Sequence, residues 1–423
     1  MGQLEIPILM RESPTNPSAS PASVTKAFRA LPPGIWVLGF VSMFMDISSE
    51  LVHSLLPIFM TTVLGASMLT VGMVEGIAEA TAAITRVFSG TISDYLGKRK
   101  VLVVLGYALS AITKPVFPLA SSIGWVFAAR FVDRIGKGIR GAPRDALIAD
   151  LVPPPQRGTA YGLRQALDSA GAFIGPLLAV VCMLWLANNL KAVLWVAVVP
   201  AFLAVLLVVA VREPESARHS AGRRSRMSLA DMKRLSLRYW LIVTLGAVFT
   251  LARFSEAFLI LRARDVGLAI GYVPLIMVVM NVVYAAFAYP AGVAADRFSA
   301  RTLLLLGLAV LILADVALAL SASPAQAFIG AALWGLHMSL TQGLLSKLVA
   351  DTAPGQLRGT AFGIFKLISG VSLLLASVVA GTLWAAFGAA TTFIAGAAFA
   401  TLAIVGLVLY RPGNRPAADS TRG

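Results

Sequence analysis

The chain has 423 residues, of which 58% are hydrophobic and only 13% charged, and its mean hydropathy is +0.83. A soluble domain is about 45–50% apolar and about 25% charged, so a water-soluble globule is excluded. A net charge of +15 would suit nucleic acid only if the basic groups shared one solvent face, and here they fall in short stretches between apolar runs, so no nucleic-acid partner is expected.

Residues 1–33 are rich in Ser and Pro, carry Arg11, Lys26 and Arg29, and lack the compact apolar core of a secretory signal. They read as a disordered cytoplasmic tail. Six apolar runs follow at about 34–60, 68–92, 101–121, 123–148, 158–186 and 191–211, each near the roughly 20 residues that cross a bilayer core as a helix. The stretch 212–237 holds Arg212, Arg218, Arg223, Arg224, Arg226, Lys233 and Arg234 and reads as a cytoplasmic linker. Six more runs lie at about 238–261, 271–295, 301–321, 325–350, 359–385 and 390–410, and a basic tail, 411–423, closes the chain. The expected fold is all-α and integral to the membrane: twelve transmembrane helices in two six-helix bundles, 34–211 and 238–410.

Orientation follows from the Lys/Arg bias of the connections. One side holds both tails, Lys98-Arg99-Lys100, Arg144, Arg157, the linker, Arg297, Arg301 and Arg358, whereas the other offers Lys191, Arg262 and Arg264. Both termini are therefore expected in the cytoplasm of a cell with an inner or plasma membrane, which requires an even number of crossings. The halves also repeat. Ala149-Asp150-Leu151-Val152-Pro153 and Arg157-Gly158-Thr159-Ala160 return 201 residues later as Ala350-Asp351-Thr352-Ala353-Pro354 and Arg358-Gly359-Thr360-Ala361 (351 − 150 and 358 − 157). Gly90 and Asp94 are echoed by Gly292 and Asp296. Six spans per copy leave the copies parallel about an axis along the membrane normal, with a pathway between them.

Charges inside the spans are the candidates for function, because each costs roughly 2.5–3.5 kcal/mol at a helix centre and must face protein or water. The first span carries Asp46, Glu50 and His53, four and then three residues apart, on one stripe. Carboxylates and an imidazole placed there suit proton exchange near neutral pH. Glu75 and Glu79, with Arg86 beyond them, join from the second span, and Arg130, Asp133, Arg134 and Lys137 share one broad face of the fourth. The plainer reading of any one acid is an ion pair with Arg130, Arg134, Lys137 or Lys114 that serves packing alone. For the whole group it falls short, since packing does not need so many charges. Arg164 and Asp168 read as a local i,i+4 pair, and Arg253, Glu256, Asp315, His337, Lys347 and Lys366 leave the second half poorer in charge. A metal site from Asp46, Glu50, His53 and His337 is a minor alternative. Cys182 is the only cysteine, and no HExxH or phosphate-binding glycine loop occurs, so neither an enzyme nor a cofactor is indicated.

The loop Gly90-Thr91-Ile92-Ser93-Asp94-Tyr95-Leu96-Gly97-Lys98-Arg99-Lys100, with the two-by-six topology, resembles the major facilitator superfamily of secondary transporters over nearly the whole chain. Ile92 and Tyr95 depart from that family's pattern, while Asp296-Arg297 keeps its acid–base pair in the second half. The resemblance implies that Gly90, Asp94, Gly97, Lys98, Arg99, Asp296 and Arg297 form a latch for the outward-facing state. The sequence Arg130-Phe131-Val132-Asp133-Arg134 is similar to the family's Arg-containing fourth-helix motif. Gly171-Ala172-Phe173-Ile174-Gly175-Pro176 resembles the fifth-helix motif of its exporters, a slight lean to efflux. The expected function is alternating access for a small solute or ion, with protons binding the acids of the first two spans as coupling partner and a monomer in the bilayer. An importer of a metal ion or anionic metabolite, and a non-transporting sensor of the same architecture, stay open. Neutralising Asp46 or Glu50 is expected to abolish proton-driven transport without affecting expression.

Overall fold

A computed structural model of the chain describes residues 30–96, 98–211, 235–341, 343–354 and 357–409, with the side chains of 91, 94, 96, 358 and 359 outside the description. Most of the three segments read as tails and linker therefore lies outside it. In hydrocarbon every backbone N–H and C=O needs a partner within the chain, so long apolar runs become helices. Each of the twelve predicted segments is helical. The first half comprises α1 (Pro33–Thr62), α2 (Met68–Leu96), α3 and α4 (Arg99–Thr113 and Val116–Leu119), α5 (Ile123–Leu151), α6 (Arg157–Trp185), and α7 and α8 (Leu190–Val196 and Val198–Ala210). The second comprises α9 and α10 (Leu237–Leu251 and Ala257–Asp265), α11 (Leu275–Arg297), α12 (Ala300–Ala319), α13 and α14 (Pro324–Thr341 and Leu344–Thr352), α15 (Arg358–Phe387) and α16 (Ala389–Leu409).

Among the described residues, nine helical segments are long and apolar enough to cross a bilayer on their own. The fourth, seventh and tenth predicted segments are not among them. The fourth, α5, carries the charged face that lowers its hydropathy, the seventh is split between Leu251 and Ala257, and the tenth is interrupted beside Gly343, whose φ is +74°. Pro57, Pro143, Pro176 and Pro290 lie inside helices, whereas Pro115 stands at the break between α3 and α4, and Pro274 precedes α11.

Packing repeats between the halves. The first segment packs on the fifth and sixth, the second on the fourth, and the third on the fourth and sixth; the seventh packs on the eleventh and twelfth, the eighth on the tenth, and the ninth on the tenth and twelfth. The halves meet where the second segment lies on the eleventh and the fifth on the eighth, contacts that exchange under the same correspondence. The fold is thus two pseudo-symmetric six-helix bundles. Glycines allow the closest approach. A Cβ on Gly72 of α2 would stand 2.2 Å from the Ser377 carbonyl of α15, and one on Gly381 would stand 2.5 Å from that of Met68.

The core is not symmetric from end to end. Away from the face bearing Pro33 and Leu409, an apolar cluster joins Leu51, Leu55 and Phe59 of α1 to Phe258 and Leu261 of α10, and within the second half alone it continues to Leu304 and Leu407. Toward the terminal face the cores separate. Ile35, Leu38, Tyr107 and Leu147 pack within the first half, and Tyr239, Ile242, Val349 and Phe365 within the second. The halves are closed together at one end and parted at the other.

Candidate functional site

At the point where the halves part, midway along their helices, lies a cavity of about 430 Å³. The first half presents Glu50 and His53 from α1, Glu79 from α2, Arg134 and Lys137 from α5, and Ala172 from α6. Opposite them stand Arg253, Phe254 and Glu256 from the break between α9 and α10, Asn281 from α11 and Trp334 from α13. The break is held by substitute hydrogen bonds: the Ser255 amide donates to Ser377 Oγ at 3.2 Å, and the Ala257 amide to Ser255 Oγ at 3.2 Å. Irregular backbone at this depth is tolerated because it faces a cavity and finds polar partners.

Behind the first-half wall the charges pair. Arg130 and Glu75 are 1% and 0% exposed and share a 2.7 Å bond between Nη2 and Oε2. The same Nη2 lies 2.9 Å from His53 Nδ1. A guanidinium only donates, so Nδ1 is the acceptor, and the neutral ring then carries its proton on Nε2. That nitrogen lies 3.8 Å from Glu256 Oε2 of the other half. Lys114 donates to Asp133 Oδ1 and to Ser49 Oγ, each at 3.1 Å. Arg134 reaches Glu79 Oε1 at 2.9 Å and Asp133 Oδ2 at 3.5 Å. Burying ions is favourable only with such mutual pairing. Farther along α5, Arg140 lies over the Tyr107 ring at 4.7 Å and donates to Ser110 Oγ, and Arg144 donates to Ser42 Oγ at 2.6 Å.

The fifth-helix glycines seat α6 on the acid-bearing stripe of α1. A Cβ on Gly171 would lie 2.7 Å from the Met43 carbonyl and 3.0 Å from Asp46 Cβ, and one on Gly175 would lie 2.7 Å from the Ile47 carbonyl and 2.9 Å from Glu50 Cβ. Pro176 follows, inside the helix. The seating directs Asp46 into a second, smaller cavity of about 140 Å³, shared with Asp168, Gln165, Ser169, Asn281 and Tyr284. Asp168 pairs with Arg164 at 3.3 Å, the local i,i+4 pair expected from spacing.

The sequence-derived candidates therefore divide. Glu50, His53, Glu79, Arg134 and Lys137 reach the main cavity, Asp46 reaches its neighbour, and Glu75, Arg130 and Asp133 stand behind the wall. His337 does not come near Asp46, Glu50 and His53 across the pathway. It is buried among second-half helices with Nδ1 2.7 Å from the Gly307 carbonyl, and no group of three or more His, Cys, Asp or Glu suited to a metal occurs among the described residues. Of the latch residues, Gly97 and the Asp94 side chain lie outside the described residues. Gly90 faces Ala142 of α5, Arg99 pairs with Asp150 and donates to the Ala146 carbonyl at 3.1 Å, and Lys98, Asp296 and Arg297 are exposed on the open face. Arg253, Phe254, Glu256, Asn281 and Trp334 escaped selection as site residues. The signal was present in Arg253-Phe254-Ser255-Glu256, a polar interruption of an apolar run, but its meeting with the first span is tertiary.

A helical membrane protein of two like bundles around a charged central cavity belongs to the class of solute carriers that move substrate between paired halves. The family model of the Major Facilitator Superfamily matches residues 38–262 and 257–423, and the chain belongs to that superfamily. It is 32% identical to an uncharacterized MFS-type transporter of Methanocaldococcus jannaschii, over 90% of this chain and 95% of that one. It is 26% identical to the multidrug resistance protein MdtH of Edwardsiella ictaluri, over 78% of this chain and 79% of that protein. In fold it is similar to the nucleoside transporter NupG, with a TM-score of 0.73 at 13% identity over 90% of this chain and 100% of that one. The D-xylose-proton symporter gives a TM-score of 0.69 at 15% identity, covering 89% of this chain and 97% of the symporter.

Proposed function

We propose that the protein is a proton-coupled secondary transporter that carries a small solute by alternating access between its two bundles. The observation that carries this reading is the mid-depth cavity, lined by charged groups of both halves, at the place where a shared apolar core ends and the halves separate. Rocking the bundles about that cavity closes the parted end and opens the sealed one. The chain crosses twelve times as a monomer of the inner or plasma membrane, and by the Lys/Arg bias its open, terminal face is cytoplasmic.

Proton coupling is supported by the contact from Arg130 through His53 to Glu256, which links the halves across the cavity. Glu50, Glu75 and Arg134 also surround His53, so its charge state is felt by both walls. A proton gained by His53 displaces the Arg130 hydrogen bond at Nδ1 and draws Glu256 closer, which biases the bundles toward one arrangement. The fifth-helix motif and the similarity to MdtH incline the direction toward efflux.

Flux measured in proteoliposomes with and without a pH gradient tests the proposal. Saturable, gradient-driven movement that is lost in Glu50→Gln or Asp46→Asn, with expression intact, is the expected result. Unsaturable conductance, or no flux of any solute under any gradient, would end it.

A further inference from the structure

We infer that the central cavity selects a zwitterionic solute with an aromatic or apolar body, an inference that rests on the transport reading above and names its substrate class. Six formal charges reach the cavity: Glu50, Glu79 and Glu256, and Arg134, Lys137 and Arg253. Glu79 and Arg134 neutralise each other at 2.9 Å. Lys137, Arg253 and Glu50 make no ion pair within 4 Å among the described residues, and the ion-pair neighbour of Glu256 is His53 at 3.8 Å. Two cations and two anions are thus left with no charged partner within 4 Å, Glu256 having there only the His53 ring in its neutral form, in a lining whose formal charges cancel.

A ligand with one charge would compensate one sign and leave the other uncompensated in a space that it has just emptied of water. A zwitterion compensates both and adds no net charge. The two signs also stand on both walls, Lys137 and Glu50 on the first half and Arg253 and Glu256 on the second, so a ligand of both signs bridges the bundles. The second half also lines the cavity with Phe254 and Trp334, whose ring centroids are 5.3 Å apart, an apolar wall for a flat body. The volume, about 430 Å³, lies in the range of roughly 300–1,000 Å³ that holds small ligands.

The test uses the full-length protein in lipid nanodiscs. Phenylalanine, phenylalanylalanine and 4-(aminomethyl)benzoate are the probes, each compared with its amine-acetylated, carboxyl-amidated and doubly blocked forms, and affinity is read from the ligand-dependent shift of thermal unfolding. At least one zwitterion is expected to bind tenfold or more tightly than all its blocked forms. Lys137→Gln should reduce that affinity to the level of the amidated form, and Glu256→Gln to the level of the acetylated form. Lys137→Arg should restore the preference, and the unliganded melting temperature shows that each variant is folded. A singly charged form that binds as tightly as its zwitterion overturns the inference, as does a panel in which nothing binds. Flux of the same compounds separates the two readings. Zwitterion binding without transport sinks the carrier and leaves the selectivity, whereas transport of a lone cation or anion without zwitterion preference does the reverse.

Discussion

At the scale of single residues, burial decides which charges hold the molecule and which are free to work. Glu75 and Arg130 are both almost fully enclosed, and removing one member of such a pair strands the other, a loss of about 3–5 kcal/mol. Glu75→Gln is expected to lower the thermal unfolding temperature strongly, and adding Arg130→Gln to recover part of the loss; equal and additive losses would show that the pair is not coupled. Lys137 is exposed to the cavity, and Lys137→Gln is expected to change stability by no more than about 0.5 kcal/mol. Asp315 is the contrary case: fully buried in α12, with neither carboxyl oxygen hydrogen-bonded and with Gly396 of α16 packed against it. Asp315→Leu, close in shape and without the unpartnered oxygens, is expected to stabilise by about 1–3 kcal/mol, read as a higher unfolding temperature. A fall would mean that the carboxyl has a partner in the membrane-embedded protein.

At the scale of elements, α6 shows how one helix divides its glycines between tasks. Gly158 and Gly162 face open space, whereas Gly171 and Gly175 lie under the backbone of α1. Gly162→Ala is expected to be neutral or to stabilise by about 0.5–1 kcal/mol through helix propensity. Gly175→Ala must push against the Ile47 carbonyl, an atom that cannot turn aside, and is expected to destabilise the protein and impair transport. Comparable unfolding temperatures for the two variants would refute this close seating. The fifth-helix motif was legible in the sequence; that its glycines seat the helix beneath Asp46 and Glu50 was not, because the partner of a small residue is fixed by packing alone.

At the scale of the whole molecule, the separate cores near the terminal face and the shared core at the other end place the cavity in contact with one side only. With Cys182 replaced by serine, Lys137→Cys is expected to react with a membrane-impermeant maleimide added on the side of Pro33 and Leu409, and to be protected from the other. Equal labelling from both sides would contradict the closed end, and labelling from the opposite side alone would reverse it. A solute that drives the halves toward the opposite arrangement should slow the reaction.

Hydropathy and spacing were enough for the helical segments, the internal duplication and the stripe of Asp46, Glu50 and His53, because bilayer thickness and the pitch of a helix act on residues near one another in the chain. They were not enough to sort Glu50 and Lys137, at the cavity, from Asp133 and Glu75, behind its wall. Nor did they bring Arg253 and Glu256 to His53 or keep His337 away from it, since those placements depend on helices hundreds of residues apart. The sequence determined what had to be hidden from lipid, and the tertiary structure decided what each hidden group would face.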